Sequence, residues 1–344
     1  MTALSAQSQI RVGIIGHGLA GAILHAPLIE ALDAFRIVAV ATSRPETLAM
    51  RRDAPRAIAD PMALVEAADV DLVVIASPNT THFPLAKAAL LAGKAVVIDK
   101  PFVVTLAEAD ELIALAEDKR AVLSVFHNRR WDGDFIAVRE KLRSKTLGNV
   151  SLFESRWDRF RPEAAAVWRN SAEPGAGLLW DLGPHLIDQA LLLFGKPDAM
   201  HADLATQRSA AVSDDYFELT LRYGAMRCIL SASTLVAAPR PRFAVYGDAG
   251  AFLAFGPDPT EEALRAGARL SDADFSSKLP PIQCRHHTPD AAREETAPAG
   301  HWTAYYEALA ACLRDQGPAP VDLHDAREVI RIIEEAHAMA RAAS

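Results

Sequence analysis

Through its first third the chain alternates short apolar runs, rich in β-branched residues, with stretches of helical period. The runs lie at residues 11–15, 36–41, 71–76, 95–98 and 121–126, with helical segments such as 84–92 and 106–117 between them. Near-continuous apolar strands interleaved with helices predict a parallel sheet covered on both faces. Thr105 and Glu108 add a capping-box pair at the start of the segment 106–117.

The pattern changes after about residue 148. Segments 150–157, 217–223, 226–233 and 242–246 alternate in character and are separated by turn pairs such as Tyr223-Gly224 and Gly247-Asp248. That predicts an antiparallel sheet. One helix, 184–194, interrupts it, with Pro184 at its start, where proline is tolerated, and Gly195 closing it. Residues 256–300, rich in Pro, Asp, Arg and Ala, read as irregular excursions, and 302–314 and 324–341 as two closing helices. The expected fold class is α/β, with a parallel-sheet domain over 1–128 and a second domain with a large, mostly antiparallel open sheet over 129–344.

At 344 residues, 50% hydrophobic and 23% charged, the chain has the size and balance of two globular domains. A net charge of −8, with Arg51-Arg52 and Arg129-Arg130 as isolated pairs, argues against a nucleic-acid partner. Cys228, Cys284 and Cys312 are scattered, which suits a reducing compartment and gives no metal-site spacing. The start carries no basic cluster before an apolar run, and no apolar stretch approaches bilayer length. The expected location is the cytoplasm, with no membrane partner and no metal.

Chemistry enters at the strand ends. The loop Gly16-His17-Gly18-Leu19-Ala20-Gly21 follows a strand and opens a helical segment. Gly16 permits the tight turn, Gly18 lets a pyrophosphate approach the backbone, and Gly21 allows close helix–strand packing. The phosphate then meets free N–H groups at the helix start. A dinucleotide cofactor is expected; a glycine-rich turn without ligand is the bland reading. After the run 36–41 an NAD site usually places a carboxylate for the ribose 2′-hydroxyl, but this chain has Thr42-Ser43-Arg44 and no acid before Glu46. A hydroxyl and a guanidinium suit a 2′-phosphate, so NADP is expected over NAD.

The segment Ser77-Pro78-Asn79-Thr80-Thr81-His82 lies at the same sheet edge, suited to the diphosphate or ribose, although Asn79 and Thr80 are also ordinary helix-capping types. Asp99-Lys100-Pro101 ends the run 95–98 and delivers a lysine where open α/β sheets bind ligands. In His127-Asn128-Arg129-Arg130-Trp131, Asn128 or Arg130 is placed to bond a polyol or the nicotinamide ribose; equally, Trp131 fits a core and the arginines inter-domain ion pairs. Trp168-Arg169 is similarly open, between a place near the nicotinamide and interface filling.

Asp181, His185 and Asp188 stand at i, i+4 and i+7, one face of a helix. Spacing alone equally fits a solvated helix face with a capping aspartate. Hydride transfer from a secondary alcohol needs a group that removes the hydroxyl proton, and histidine is matched to that task near neutral pH. A cation such as Lys100 would stabilise negative charge on the substrate oxygen, and Asp181 would orient the imidazole or hold a neighbouring hydroxyl. A cofactor-sensing regulator without catalysis has no reason to hold all three, whereas a redox-assisted glycosidase, in which the cofactor is oxidised and reduced within one turnover, fits composition equally well.

Gly16-His17-Gly18…Gly21, Ser77-Pro78-Asn79…His82, Asp99-Lys100-Pro101 and Asp181-Leu182-Gly183-Pro184-His185…Asp188 together resemble the Gfo/Idh/MocA oxidoreductase family over roughly residues 10–341. Phrases such as His25-Ala26-Pro27-Leu28, residues 124–132 and residues 158–162 look most like its NADP-preferring scyllo-inositol dehydrogenase branch. The resemblance implies a Rossmann domain, to which the closing helical segment can return, then a domain whose open sheet builds a homodimer or homotetramer. It implies that Lys100, Asp181 and His185 carry the chemistry on a cyclic polyol or sugar and that Ser43-Arg44 receive the 2′-phosphate. It also puts Asn128, Trp168 and Arg169 near the cofactor, with Tyr305 or Tyr306 closing over it. The Lys-Pro bond of this motif is often cis. Two departures are Asp99 where the family commonly has Glu, and His17 where an aromatic or small residue is common; neither removes a reacting group.

Overall fold

A computed structural model of the chain describes residues 8–48, 54–164, 170–238 and 240–343. They fall into two compact units: one of residues through His127 with Glu261–Phe275 and Trp302–Arg327, the other of Asn128–Thr260 with Ser276–His301 and the residues from Glu328 on.

The first unit is built on six parallel strands, β1 (Ile10–Ile15), β2 (Phe35–Ala41), β3 (Arg56–Ile58), β4 (Leu72–Ile75), β5 (Ala95–Asp99) and β6 (Leu123–Phe126). Their order is β3-β2-β1-β4-β5-β6, and every neighbouring pair is parallel. This is the Rossmann arrangement, with the reversal of strand order between β1 and β4, where such sheets bind ligands beyond the strands' C-terminal ends. All of β4 and β6 and the first four residues of β5 are buried, as the unbroken apolar runs predicted. Each Val or Ile so covered contributes about 1.5–3 kcal/mol. The helix Leu106–Lys119 begins with the expected capping box, Thr105 accepting from the Glu108 N–H.

The second unit carries eight strands, β7 (Val150–Asp158), β8 (Ala199–Ala205), β9 (Tyr216–Tyr223), β10 (Met226–Ser233), β11 (Phe243–Gly247), β12 (Gly250–Phe255), β13 (Gln283–His287) and β14 (Ala292–Thr296). The order is β14-β13-β12-β11-β7-β10-β9-β8, antiparallel throughout except for the parallel pair β7 and β10. Phe153, Ser155 and Trp157 of β7 point to the covered face. The helix Leu178–Phe194 packs on β10, β9 and β7, and Gly133–Arg143 packs on β11 and β12.

Two expectations are corrected. The helix carrying Asp181 starts at Leu178, not at Pro184, which lies inside it. Its beginning is held from a distant segment: the Asp214 carbonyl accepts the Leu178 N–H at 2.8 Å and its carboxylate accepts the Leu179 N–H at 2.7 Å. Segment 256–300 is also not wholly irregular, for it contains β13, β14 and the short helices Thr260–Arg265 and Phe275–Lys278. Among the described residues no helix is long and apolar enough to cross a membrane.

Asp214 supplies a pH prediction. Burial pushes its carboxyl up to about 6, against the pull of the backbone N–H groups it accepts from. An acid whose folded pKa is raised stabilises the fold fully below its unfolded value near 4 and loses that contribution as pH rises through about 6. Asp214→Asn keeps an acceptor without the charge. Thermal unfolding is expected to show this variant more stable than the parent at pH 8, by on the order of 1 kcal/mol, with the difference closing at pH 4. A variant less stable than the parent at both pH values contradicts this account.

Candidate active site

The first turn after β1 is made by Gly16 at φ +95°, where a Cβ would stand 2.4 Å from the Ala76 carbonyl oxygen. A Cβ on Gly21 would stand 1.9 Å from the Gly16 carbonyl oxygen. Around a Cβ on Gly18, by contrast, nothing lies within 4 Å. Two glycines are thus demanded by backbone packing and the middle one faces open space, the form a loop needs if a diphosphate is to lie against it. His17, Gly18, Thr42, Ser43, Arg44 and Ser77 line one cleft there. Leu19 is exposed, and Ala20 and Gly21 begin a π-helical turn, Ala20–His25, rather than a regular α-helix.

Ser43 and Arg44 are exposed beyond β2, with no carboxylate at the strand end. The Arg44 N–H donates to Thr42 Oγ1 at 3.0 Å and the Thr47 hydroxyl donates to the Arg44 carbonyl at 2.7 Å, which fixes the main chain and leaves the guanidinium outward. This donor set fits a 2′-phosphorylated dinucleotide.

Beyond β4, Ser77 and Pro78 enter a tight turn tied by a 2.6 Å bond between the Ser77 and Thr81 hydroxyls, and Asn79 is nearly buried. The helix His82–Leu91 has Thr81 at its N-cap, with no cap bond from the Thr81 side chain; the Thr81 hydroxyl donates instead to the Pro78 carbonyl at 2.7 Å. His82 is buried, its Nδ1 2.8 Å from the Pro101 carbonyl oxygen and its Nε2 3.0 Å from that of Ser77. Its ring therefore ties the end of β4 to the end of β5. Burial lowers its pKa, partly opposed by Asp99 and the facing carbonyls.

Lys100 follows β5 directly, and the Lys100-Pro101 bond is cis. Asp99 accepts the Lys100 N–H at 2.9 Å. Burial opposes its charge, yet nearby His25, Lys100 and His82 outweigh burial and hold the carboxyl below the usual carboxylate range. Tyr305 and Tyr306 are both fully buried, and the Tyr305 hydroxyl donates to Ser124 Oγ at 2.9 Å.

In the second unit Asp181, His185 and Asp188 share one helix, but their surroundings differ. Asp181 is partly accessible, with Arg159 Nη1 3.7 Å from Oδ2. His185 is 6% exposed, and its ring lies 5.9 Å from the Trp157 ring at 32°. Asp188 is buried and receives two bonds from Arg130, Nε to Oδ2 at 2.9 Å and Nη2 to Oδ1 at 2.7 Å. Of the alternatives open for Arg130, the structure selects an ion pair, and one inside a single unit. Asn128 is buried at the start of the same 3-10 turn, and Trp168 and Arg169 lie outside the described residues.

Arg129, from the constellation after β6, and residues that the sequence did not announce add to this region. The guanidinium of Arg129 stands 4.9 Å and that of Arg242 4.6 Å from the Trp157 ring centre. Arg242 also donates to Ser155 Oγ and to Gln189 Oε1, and burial drives its pKa down to about 10. Gln189 in turn donates to the Arg129 carbonyl at 2.8 Å. No local signal marks Arg242 or Asp214, because their partners are dozens of residues away.

The same chain matches known proteins along nearly its whole length. The NAD-binding Rossmann-fold oxidoreductase family profile matches residues 10–127, and the GFO/IDH/MocA C-terminal domain matches residues 135–253. It is 43% identical to YdgJ of Escherichia coli, described only as an uncharacterized oxidoreductase, over 94% of each chain. It is 36% identical to IolW of Bacillus subtilis, a scyllo-inositol 2-dehydrogenase (NADP(+)), over 95% of this chain and 92% of that one. The solved structure of YPO2259 from Yersinia pestis superposes with a TM-score of 0.91 at 39% identity, covering 98% of this chain and 97% of the other. With two family profiles in register on a Rossmann unit and an antiparallel-sheet unit, the chain belongs to the GFO/IDH/MocA family of oxidoreductases.

Proposed function

We propose that this oxidoreductase transfers hydride between the nicotinamide of NADP and a secondary alcohol or ketone carbon of a cyclic polyol or sugar, with scyllo-inositol and its ketone favoured. The observation that carries the reading is Lys100 at the C-terminal end of β5, on the sheet edge that also bears the glycine loop. Bound NADP supplies the hydride acceptor in the oxidative direction. His185 removes the hydroxyl proton, an imidazole being matched to that transfer near neutral pH. Lys100 stabilises the negative charge that builds on the substrate oxygen. Asp181 orients the imidazole or holds a neighbouring hydroxyl. Gly16, Gly18 and Gly21 admit the diphosphate, with His17, Leu19 and Ala20 completing the loop, and Ser43 and Arg44 receive the 2′-phosphate. The identity to IolW over 95% of the chain supports the polyol and NADP.

The reading also takes residues 1–128, joined by Glu261–Phe275 and Trp302–Arg327, as the nucleotide-binding domain and the rest of 129–344 as the substrate domain, places the enzyme in the cytoplasm, and assigns a homodimer or homotetramer built through the eight-stranded sheet.

The test is reduction of NADP+ by purified protein offered scyllo-inositol, myo-inositol and common aldoses. Reduced nicotinamide should appear with a polyol. Cofactor binding without reduction across the panel overturns the assignment, and aglycone release from chromogenic glycosides with no net cofactor change would make the chain a redox-assisted glycosidase. Cofactor choice has its own measurement. Arg44→Ala is expected to weaken NADP+ binding about 10- to 100-fold while leaving NAD+ binding nearly unchanged, since a charged hydrogen-bond donor is lost only to the 2′-phosphate. Equal loss for both dinucleotides would remove Arg44 from that role.

A further inference from the structure

Behind the lysine-bearing loop lies a buried histidine that the reaction as proposed does not use. His25 ends the turn that follows the glycine loop and is 0% exposed. Its Nδ1 is 2.7 Å from the Tyr306 hydroxyl, and its Nε2 faces Asp99 Oδ1 at 3.8 Å. The ring is packed 4.1 Å from Phe126 and stands edge-on to Tyr306, which itself meets Phe35 edge-on. All of these groups belong to the first unit.

Only one tautomer serves both neighbours. Burial raises the Tyr306 phenol well above its ordinary value, so the hydroxyl keeps its proton and donates it to Nδ1. Nδ1 is then an acceptor, and the imidazole proton sits on Nε2, on the side of the Asp99 carboxylate, at 3.8 Å a charge–dipole contact longer than a hydrogen bond. Asp99 in turn accepts the main-chain N–H of Lys100 at 2.9 Å. The charged or titratable groups around Asp99 include His25, Lys100, His82 and Tyr306, and His82 separately ties down the Pro101 carbonyl.

We propose that His25 is a positioning residue for Lys100: the Tyr306 hydroxyl fixes its ring, its Nε2–H faces the Asp99 carboxylate across 3.8 Å and attracts it electrostatically, and that carboxylate fixes the main chain of the lysine. No proton is transferred along this chain; it sets where the lysine stands. The inference rests on the reading of Lys100 given above, so its test is built to fail separately from that reading.

Two measurements need no substrate. In protein labelled with 15N-histidine at pH 8, where an ordinary imidazole is neutral, the His25 resonances are expected to show a protonated Nε2 and a bare, hydrogen-bonded Nδ1. In Tyr306→Phe, a near-isosteric change, the Nδ1 resonance should move as its donor is lost. Amide exchange at Lys100 should accelerate about tenfold in Tyr306→Phe and in His25→Asn, with exchange in the middle of β5 unchanged. A proton on Nδ1, or unchanged exchange at Lys100, overturns the proposal, and Tyr306→Phe keeps it testable if His25→Asn does not fold.

A kinetic arm reads the consequence for hydride transfer. Tyr306→Phe and Asp99→Asn should each slow single-turnover transfer about tenfold with NADPH affinity nearly unchanged, and the double variant should be no slower than the slower single one. Asp99→Glu should restore most of the rate. Multiplicative losses, or losses that appear in NADPH affinity alone, count against His25 as the link. Correct tautomer and exchange results in a protein that oxidises no polyol would instead remove the proposed substrate and leave the positioning chain standing.

Discussion

Replacing Lys100 by Met is expected to lower the rate of hydride transfer by about 10²- to 10³-fold, the range seen when a donor to a developing oxyanion is removed. Methionine preserves length and flexibility and deletes the charge. Lys100 stands at the end of β5, outside the glycine loop and the Ser43-Arg44 segment, so NADPH affinity should stay within about threefold. Lys100→Arg should recover little, because a planar fork does not reproduce a point charge on a flexible stem. Single-turnover kinetics on a polyol substrate, paired with fluorescence titration of NADPH, separates the two effects. A Lys100→Met enzyme within about tenfold of the parent would mean that charge on the substrate oxygen is stabilised elsewhere.

The largest effect on stability is expected from Asp188→Ala. Asp188 is 1% exposed and carries both bonds from Arg130, itself 6% exposed, so removing the carboxylate strands a buried guanidinium. Breaking one side of a buried pair costs about 3–5 kcal/mol, which for a protein of this size lowers Tm by roughly 4–7 °C. The charge matters more than the contact, so Asp188→Asn should be nearly as harmful. Arg130→Met combined with Asp188→Leu, which removes both charges, should regain most of the loss. Urea unfolding measures all of these. A loss below about 1 kcal/mol for Asp188→Ala would show that water reaches the guanidinium once the carboxylate is gone.

Where burial is complete, the pattern of residues announces the element. The runs at 71–76, 95–98 and 121–126 are apolar because both faces of the parallel sheet are covered, and they appear as β4, β5 and β6. The glycine loop is legible for a different reason: Gly16 and Gly21 are demanded by local backbone geometry. β3 escapes notice because it has only three residues, none of them buried. β14, reading AREET, is the exposed edge strand of its sheet and β13, reading QCRHH, lies next to it; both show almost no apolar alternation. The helix start at Leu178 was hidden because its cap, Asp214, lies 35 residues downstream of the N–H it holds. Pro184 drew the boundary instead, since inside a helix it removes one backbone hydrogen bond. The spacing of Asp181, His185 and Asp188 gave the shared face correctly, but no spacing rule could say that Asp188 is committed to Arg130, 58 residues away.

The segment Trp302–Arg327, grouped with the Rossmann strands, bears on how the protein is made. His25 and Tyr306 are 281 residues apart in the chain, and Ser124 and Tyr305 are 181 apart. At ordinary rates of synthesis, on the order of tens of seconds pass between the emergence of His25 and that of its partner. During that interval Phe35 and Phe126 lack the aromatic ring that covers them in the finished fold. The nascent nucleotide-binding unit therefore waits, with an apolar patch open to chaperones, until the last tenth of the chain leaves the ribosome.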